Sequence, residues 1–262
     1  CLVAGAPVYL QALERQSVNT DVDRAADVFL NVFILGPNLP LNKDSLRQTD
    51  ATVDGAIREH ISDLERSRRR YVKTSTHLVG LPHRPLPTSG TAQVSRGYFQ
   101  HMSNLEENVT FIEGSMAADT VTDGPQGPIF EAVLGTTVVA DMSLKVGDIL
   151  TMAPSIGEST RVSVRLAGII EAKDPDAEYW QRSAEIYISP SSLQEEADPD
   201  VVVDPDEPPL ALFVTENALT EGVGKAFPGT LVSSSWFVLV DKESLKDWSI
   251  SETRTRMDGL EN

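Results

Sequence analysis

The sequence predicts an α+β fold with two subdomains, and three observations lead to that prediction. Strongly apolar, β-rich runs lie near both ends of the 262-residue chain, at 28–35, 210–215 and 235–240. A long segment with helical spacing of its apolar residues follows the first run. Short pieces typical of strands fill the middle. We therefore expect a split α/β subdomain of sheet and helix, built from both chain ends, with a β-rich subdomain inserted between its halves.

The first half of the split subdomain is predicted to begin with a strand and a long helix. Val28–Leu35 is an apolar run that stops at Gly36-Pro37, a pattern typical of a buried strand. Apolar residues then keep helical spacing from a cap at Asn42 or Asp44 to about residue 72. Cations at the end of this segment would complement the helix macrodipole. These cations are Arg66, Arg68, Arg69, Arg70 and Lys73.

Further strands are expected on both sides of the middle segment. Thr76–Leu81 predicts a second strand, the Pro82–Pro87 segment a loop, and Thr91–Ser95 a third, short strand. The apolar runs Leu210–Thr215 and Ser235–Val240 resemble the first strand more than they resemble the middle pieces. The sheet of the first part is therefore expected to be rejoined after the insertion.

The middle of the chain reads as short strands separated by turns and loops. Thr120–Pro128 is a Gly/Pro/Asp loop, and Glu131–Asp141 is apolar enough for a short buried helix or strand. Alternating carboxylates in Glu195–Pro209 could hold Ca²⁺, but they lack the EF-hand spacing, which favours a solvated loop. The predicted strands are Asn108–Gly114, the segment after the turn in Leu144–Met152, Arg161–Ile170 and Ala184–Ser189.

The two ends of the sequence carry different signals. Residues 1–13 are largely apolar but too few to cross a bilayer by themselves. They fit the outer end of a transmembrane helix, an apolar helix packed on the body, or a lipoprotein start with lipid on Cys1. At the other end, residues 244–262 predict an exposed amphipathic helix with Ser249 or Ser251 as its cap.

Composition and motifs exclude more functions than they propose. With 22 Lys+Arg against 39 Asp+Glu, the net charge of −17 argues against nucleic acid and anionic membrane surfaces. One cysteine and four scattered histidines predict no metal site. Neither a nucleophile elbow nor a phosphate-binding loop is present, so we expect no catalysis and no cofactor. A hydrolase built on Asp174 and Asp176 is a minor alternative.

Several segments, taken together, resemble one known family. The segments Leu105–Gly114, Glu131–Leu134, Leu144–Leu150 and Arg161–Ile170 are similar, in order and spacing, to the periplasmic core domain of MacB/FtsX-like ABC transporter permeases. Ala6–Leu13 is similar to the end of the first transmembrane helix in such permeases. Each motif alone is loose, so the order of the motifs carries the resemblance.

The resemblance implies a domain organisation that agrees with the pattern of strands. Residues 1–19 would be the end of a transmembrane or apolar N-terminal helix, and 246–262 a helix leading toward the membrane. The split α/β, porter-like subdomain would comprise 20–97 and 208–245. The inserted β-rich subdomain would comprise 98–207.

The resemblance also implies a function without catalytic residues. The chain would be the extracytoplasmic part of a bacterial membrane permease, passing ATP-driven motion to a peptide, lipoprotein, drug or protein partner outside the membrane. Its partners would include an ATP-binding subunit and a second permease protomer. A surface for a partner or ligand is expected at His83, Arg84, Tyr179 and Trp180. The alternative is a secreted or lipid-anchored extracytoplasmic binding protein.

Overall fold

The structure, a computed structural model, describes residues 19–26, 29–87, 94–190 and 207–261. The predicted α+β class is confirmed, because helices accompany one mixed sheet of eleven strands. Contacts divide the chain into two compact units. Unit 1 comprises residues 1–34, 47–69 and 236–262, and unit 2 comprises residues 35–46 and 70–235. The subdomain boundaries expected from the sequence stay a prediction.

Strands and helices alternate irregularly along the chain. The strands are β1 (Val32–Pro40), β2 (Glu65–Thr74), β3 (His77–Gly80), β4 (Ser95–Met102), β5 (Val109–Gly114), β6 (Thr122–Gly124), β7 (Gly127–Gly135), β8 (Ile149–Ala153), β9 (Val162–Ala172), β10 (Leu210–Phe213) and β11 (Leu231–Val240). The chain also forms the α-helices α1 (Lys43–His60), α2 (Leu105–Asn108), α3 (Thr136–Asp141), α4 (Ala184–Ile188), α5 (Lys242–Lys246) and α6 (Ile250–Glu261). A π-helix spans Ala218–Gly224, and residues 19–24 are also helical.

Six strands of unit 2 close into a ring. Their order is β4–β10–β7–β9–β8–β3, and β3 pairs again with β4. β4 runs parallel to β10 and β7 runs parallel to β9, whereas β3 is antiparallel to both of its neighbours. One hydrophobic cluster gathers side chains from all six strands, including Val79, Phe99, Phe130, Met152, Val164 and Leu212. The main core of the unit therefore belongs to this ring.

A second hydrophobic cluster corrects one sequence prediction. Ala184–Ser189 was expected to be a strand, but Ala184–Ile188 forms helix α4. Ala184, Tyr187 and Ile188 are buried at helical spacing, in the same cluster as Trp180. The short run Ala-Glu-Ile-Tyr-Ile fits both the two-residue period of a strand and the 3.6-residue period of a helix, and packing selects the helix.

The first strand differs from its prediction in extent and burial. β1 passes through Gly36-Pro37 to Pro40, and Phe33 and Leu35 stay about half exposed, at 52% and 54%. β1 lies at one end of the strand order, so one of its edges pairs with no other strand among the residues that the structure describes. Proline lacks a backbone N–H and is tolerated on such an edge, so Gly36-Pro37 does not stop the strand. Val28 lies outside the described residues.

The long helix is shorter than its apolar spacing predicts. Asn42 is its cap, because its Oδ1 accepts a hydrogen bond of 2.9 Å from the Ser45 N–H. α1 ends at His60, and the basic cluster lies on strand β2 instead of a helix end. The buried residues Ile61 and Leu64, which continue the helical spacing, fill the reversal between α1 and β2. Antiparallel pairing of β2 with β4 overrides the local helical pattern.

Most other strand predictions are confirmed. The strands expected in the first and middle parts appear as β3, β5, β8 and β9, and those near the C-terminal end as β10 and β11. Glu131–Asp141 contains both predicted alternatives, since β7 ends at Gly135 and α3 follows it. Thr120–Pro128 was expected to be only a loop, yet it holds β6, which pairs with β7 through Asp123 and Pro128.

The remaining predictions concern a short strand, the ends and the acidic segment. β4 begins at Ser95, whereas 88–93, with most of the predicted strand Thr91–Ser95, lie outside the described residues. Residues 1–18 and 191–206 also lie outside them, so the N-terminal helix and the acidic loop stay predictions. At the other end, the Ser249 hydroxyl accepts from the Glu252 N–H at 3.2 Å and caps α6. Within the described ranges, no helix combines the length and the apolar character needed to cross a membrane.

Candidate functional site

Arg84, one of the predicted surface residues, lies in a proline-rich turn and takes part in a structural tie. Leu81 and Arg84 exchange backbone hydrogen bonds of 2.9 and 3.1 Å across the turn. The guanidinium Nη2 donates to Ser95 Oγ and to Glu207 Oε1. Ser95 Oγ also donates to Glu207 Oε1 at 2.5 Å, and the Glu207 side chain is only 12% exposed. Arg84 therefore joins the turn to the first residue of β4 and to the segment before β10, while His83 remains exposed beside it.

The other predicted pair, Tyr179 and Trp180, packs against the body of unit 2. The Trp180 side chain is completely buried, which corrects its assignment to a contact surface. Its ring meets Tyr179 edge to face at 4.6 Å, and the Tyr179 hydroxyl donates to the Ser103 carbonyl at 2.9 Å. Both rings belong to the second hydrophobic cluster, so Trp180 anchors packing.

Two adjoining clefts of unit 2 were not predicted. The first cleft has a volume of about 420 Å³ and is lined by Asn38, Lys73, Thr74, Ser75, Gly229, Thr230, Leu231, Val232 and Ser233. The second cleft has a volume of about 460 Å³ and is lined by Ser75, Thr76, His77, Pro154, Glu158, Thr160, Ala226, Phe227, Pro228, Gly229 and Thr230. Ser75, Gly229 and Thr230 form their common wall.

Two turns build this common wall. In one turn, the Thr230 N–H and Oγ1 both donate to the Phe227 carbonyl, at 3.1 and 2.9 Å. Gly229 has a φ of +93°, which side chains rarely adopt, so the turn requires glycine. In the other turn, Thr74 Oγ1 donates to the Ser75 carbonyl at 2.8 Å and accepts from the Phe99 N–H at 3.1 Å. These bonds fix the backbone that separates the clefts.

Aromatic contacts position the charged and titratable side chains of the clefts. The Lys73 ammonium lies 4.1 Å from the centre of the Tyr98 ring, and Tyr98 is buried. The His77 ring is buried, 5.5 Å from Phe99 and 5.4 Å from Phe227. The first cleft is thus lined by a cation and hydroxyls, whereas the second cleft adds a carboxylate, an imidazole and apolar residues.

The π-helix Ala218–Gly224 leads into the turn of the common wall. A Cβ at Gly222 would lie 2.7 Å from the Phe130 ring, and a Cβ at Gly224 would lie 2.5 Å from the Leu41 carbonyl oxygen. Both positions therefore require glycine for close packing. In the sequence, Gly222 and Gly224 lack the spacing of a dinucleotide-binding motif, so they predict no more than a loop. The three consecutive hydroxyl residues Thr74-Ser75-Thr76 are the sequence feature that could have indicated the clefts. They lie beside residues 229–233 only in the folded chain.

The remaining chemistry-bearing residues lie apart from the clefts. Asp174 and Asp176, the minor hydrolase alternative, are exposed, and Asp174 Oδ1 accepts from the Asp176 N–H at 3.1 Å in a local turn. Burial lowers the pKa of His101 below its usual 6.5. Over the part of the chain that the structure describes, no group of three or more His, Cys, Asp or Glu side chains could hold a metal ion.

Comparisons with known proteins include a distant similarity to a solved structure. No family model matches the chain, and no curated protein matches it. Among solved structures, the chain is similar to the crystal structure of a domain of a proposed permease from Porphyromonas gingivalis. The sequence identity is 12%, the TM-score is 0.35, and the alignment covers 84% of this chain and 72% of that chain. A TM-score of this size does not establish a shared fold, and the comparisons place the chain in no family.

Proposed function

We propose that this chain is the extracytoplasmic domain of an ABC transporter permease subunit in a bacterial cell membrane. The ordered sequence segments that resemble MacB/FtsX-like permeases support this proposal. In the proposed function, the domain carries out no catalysis and needs no cofactor or nucleic acid. It passes ATP-driven movement of membrane helices to a substrate or protein partner outside the membrane.

The observation that carries the proposal is a tie between two segments far apart in the sequence. Lys242 Nζ donates to the carbonyl oxygens of Asp23 and Ala25, at 3.1 and 3.0 Å. Lys246 Nζ lies 2.6 Å from the Asp23 carboxylate, and this hydrogen bond lowers the pKa of Asp23. A domain inserted between two membrane helices needs its entry and exit segments side by side. This tie meets that requirement within unit 1.

A second group of contacts supports a mechanical role for the C-terminal helix. Arg256 Nη1 lies 2.8 Å from Asp63 Oδ1, and Trp248 Nε1 donates to Asp63 Oδ2 at 2.9 Å. The Arg256 guanidinium also stacks over the Trp248 ring at 4.3 Å. Helix α6 is thereby held to the turn after α1. A helix attached in this way would transmit its movement to the rest of unit 1, because the two cannot move independently.

The proposal includes the partners that the resemblance to MacB/FtsX-like permeases implies. An ATP-binding subunit would act through the membrane part of the full-length permease, and a second permease protomer would complete the membrane pathway. The substrate class stays open between peptide, lipoprotein and drug, because nothing in the chain distinguishes them. The alternative is a secreted or lipid-anchored extracytoplasmic binding protein.

The test is the location of this domain in cells that express the full-length protein. Ser159 is exposed, so Ser159→Cys offers a single thiol for a membrane-impermeant maleimide once Cys1 and every cysteine of the full-length protein outside this chain are replaced by serine. We expect labelling in intact spheroplasts, together with recovery of the protein in the membrane fraction after a carbonate wash. The matched control carries Val164→Cys, because Val164 is completely buried and its thiol should stay unlabelled in the folded protein.

Two outcomes would contradict the proposal. Labelling only after cell lysis would place the domain on the cytoplasmic side. Recovery in the medium would favour the binding protein. So would membrane retention of the protein with Cys1 intact, if mass spectrometry finds a lipid on Cys1 and Cys1→Ser alone abolishes the retention. Transport assays on the full-length protein would then test substrates for the proposal that survives.

A further inference from the structure

The first cleft, lined by Lys73 and a series of hydroxyl groups, has the chemistry of an anion site. We infer that it binds the carboxylate of a small organic monoanion, whose apolar part extends into the second cleft. This inference goes beyond the proposed function and does not depend on it. If the labelling experiment contradicted the proposed function, the inference would be unaffected. If the cleft bound no anion, the proposed function would likewise be unaffected.

The charge of the lining residues differs sharply from the charge of the whole protein. The chain carries a net charge of −17, yet none of the nine described residues lining the first cleft is an aspartate or glutamate. Lys73 is the cation among these nine. A cation with no carboxylate beside it in this lining favours an anion over a cation as the ligand.

The position of the cation is fixed before any ligand arrives. The Lys73 ammonium lies over the face of the buried Tyr98 ring, 4.1 Å from its centre. A cation held over an aromatic face loses less conformational freedom when it binds an anion, and this preorganisation favours affinity. The binding role assigned to Lys73 therefore rests on its placement and its charge.

Hydroxyl and amide groups supply further donors around the first cleft. The Ser75 and Ser233 hydroxyls make no side-chain hydrogen bond to any other residue that the structure describes. Asn38 also lines the cleft, with a φ of 55°, a left-handed conformation that asparagine tolerates better than most residues. The two oxygens of a carboxylate accept several hydrogen bonds, and these three side chains offer them.

The second cleft restricts the kind of anion. Glu158 lines it, so a second negative charge on the ligand would be repelled there. Pro154, Phe227 and Pro228 offer apolar contacts for an uncharged body. Among the described residues that line the two clefts there is no arginine, the residue that suits the geometry of phosphate best. The volume of each cleft, about 420 and 460 Å³, is within the range of small-molecule sites.

The test compares two probes that differ only in charge. N-acetylphenylalanine carries a carboxylate and an aromatic body, and N-acetylphenylalanine amide has the same body without the charge. In an NMR titration of the ¹⁵N-labelled chain, we expect the acid to shift the amide signals of Ser75, Gly229 and Ser233. We expect a Kd on the order of 1 mM for the acid and about tenfold weaker binding of the amide.

Three variants connect this binding to the cleft. Lys73→Met should remove the preference for the acid, whereas Lys73→Arg should retain it. Ser233→Ala should weaken binding of the acid about threefold, the loss of one modest hydrogen bond. The matched control is Lys225→Met, since Lys225 is an exposed lysine paired with Glu221 and should not affect binding. If Lys73→Met does not fold, Ser233→Ala and the comparison of acid with amide decide the question.

Three results would overturn the inference. Equal affinity for acid and amide would show that charge does not matter. Tighter binding of inorganic phosphate than of the acid would assign the cleft to a different anion. Absence of shifts at Ser75, Gly229 and Ser233 with about 10 mM acid would show that the cleft binds no such ligand.

Discussion

His101 is a partly buried histidine whose surroundings favour its neutral form. Burial is the main cause that lowers its pKa, because a charged imidazole loses its hydration there. Its Nδ1 lies 3.1 Å from the Val214 carbonyl oxygen, a contact that opposes the shift in part. Nearby charges act in both directions: Arg70 lowers the pKa, and Glu216 and Asp119 raise it.

We expect His101 to make the folded state less stable in mild acid. Its pKa is lower in the folded state than the usual 6.5, so the unfolded chain binds the proton first as the pH falls. Stability is therefore lost as the pH falls from above 6.5 toward the pKa of the folded state. Urea unfolding between pH 8 and pH 5 measures this loss. His101→Gln should reduce the pH dependence, and an unchanged slope would contradict the prediction.

A second prediction concerns Gln100, a completely buried amide on β4. Its Nε2 donates to the Tyr187 carbonyl at 2.8 Å, and its Oε1 accepts from the Tyr71 hydroxyl at 2.9 Å. Tyr71→Phe removes that hydroxyl and leaves a buried acceptor without its donor. We expect a decrease of about 1–2 kcal/mol in the free energy of unfolding, measured by urea denaturation.

The matched control for this change is Tyr187→Phe. The Tyr187 hydroxyl donates to Gln181 Oε1 over a longer distance of 3.3 Å, in a partly buried position. Its removal should cost less, because water can replace a weaker bond there. A larger loss for Tyr187→Phe than for Tyr71→Phe would show that the buried amide is not the reason for the effect.

At the scale of elements, helix α6 depends on one arginine for its attachment. Arg256 reaches Asp63, the His60 carbonyl and Glu252, and stacks on Trp248. Arg256→Ala should increase hydrogen exchange across 250–261 and lower the free energy of unfolding by about 1 kcal/mol. Its control is Arg254→Ala on the same helix, an exposed side chain whose loss should change neither quantity. Equal effects of the two variants would contradict this role of Arg256.

Close packing also explains a glycine near the end of α6. A Cβ at Gly259 would lie 2.5 Å from the Cε1 atom of the His60 ring, so a side chain there would have to displace that ring. Glycine inside a helix costs roughly 0.5–1 kcal/mol relative to alanine. The sequence alone does not explain why glycine is present at this position, because the ring that it contacts, His60, lies about 200 residues earlier in the chain.

At the scale of the whole molecule, the net charge of −17 predicts a dependence on salt. The 39 acidic side chains outnumber the 22 basic side chains, so the net repulsion between charges destabilises the compact state. Salt screens this repulsion. Raising NaCl from about 0.02 M to about 0.5 M should stabilise the chain by on the order of 1 kcal/mol, or about 2–4 °C in Tm. Differential scanning fluorimetry measures this shift. KCl should act equally, and a Tm that falls with both salts would contradict the prediction.

The sequence by itself determined the elements whose pattern is local. The α+β class, a first cap at Asn42 or Asp44, a last cap at Ser249 or Ser251, and strands such as β9 follow from patterns of residues near in sequence. The structure then selects Asn42 and Ser249 as the caps. These signals depend on neighbours within a few residues, so no tertiary contact is needed to find them. The resemblance to permease domains likewise rests on the order of short motifs.

Only the tertiary structure decided the rest, since those features depend on partners far apart in the chain. Residues 65–74 form a strand because β4 pairs with them, and residues 184–188 form a helix because the pocket around Trp180 selects that period. The clefts arise where Thr74-Ser75-Thr76 meets residues 229–233. Local pattern leaves such pairings undetermined, because the free energy that selects them comes from long-range packing.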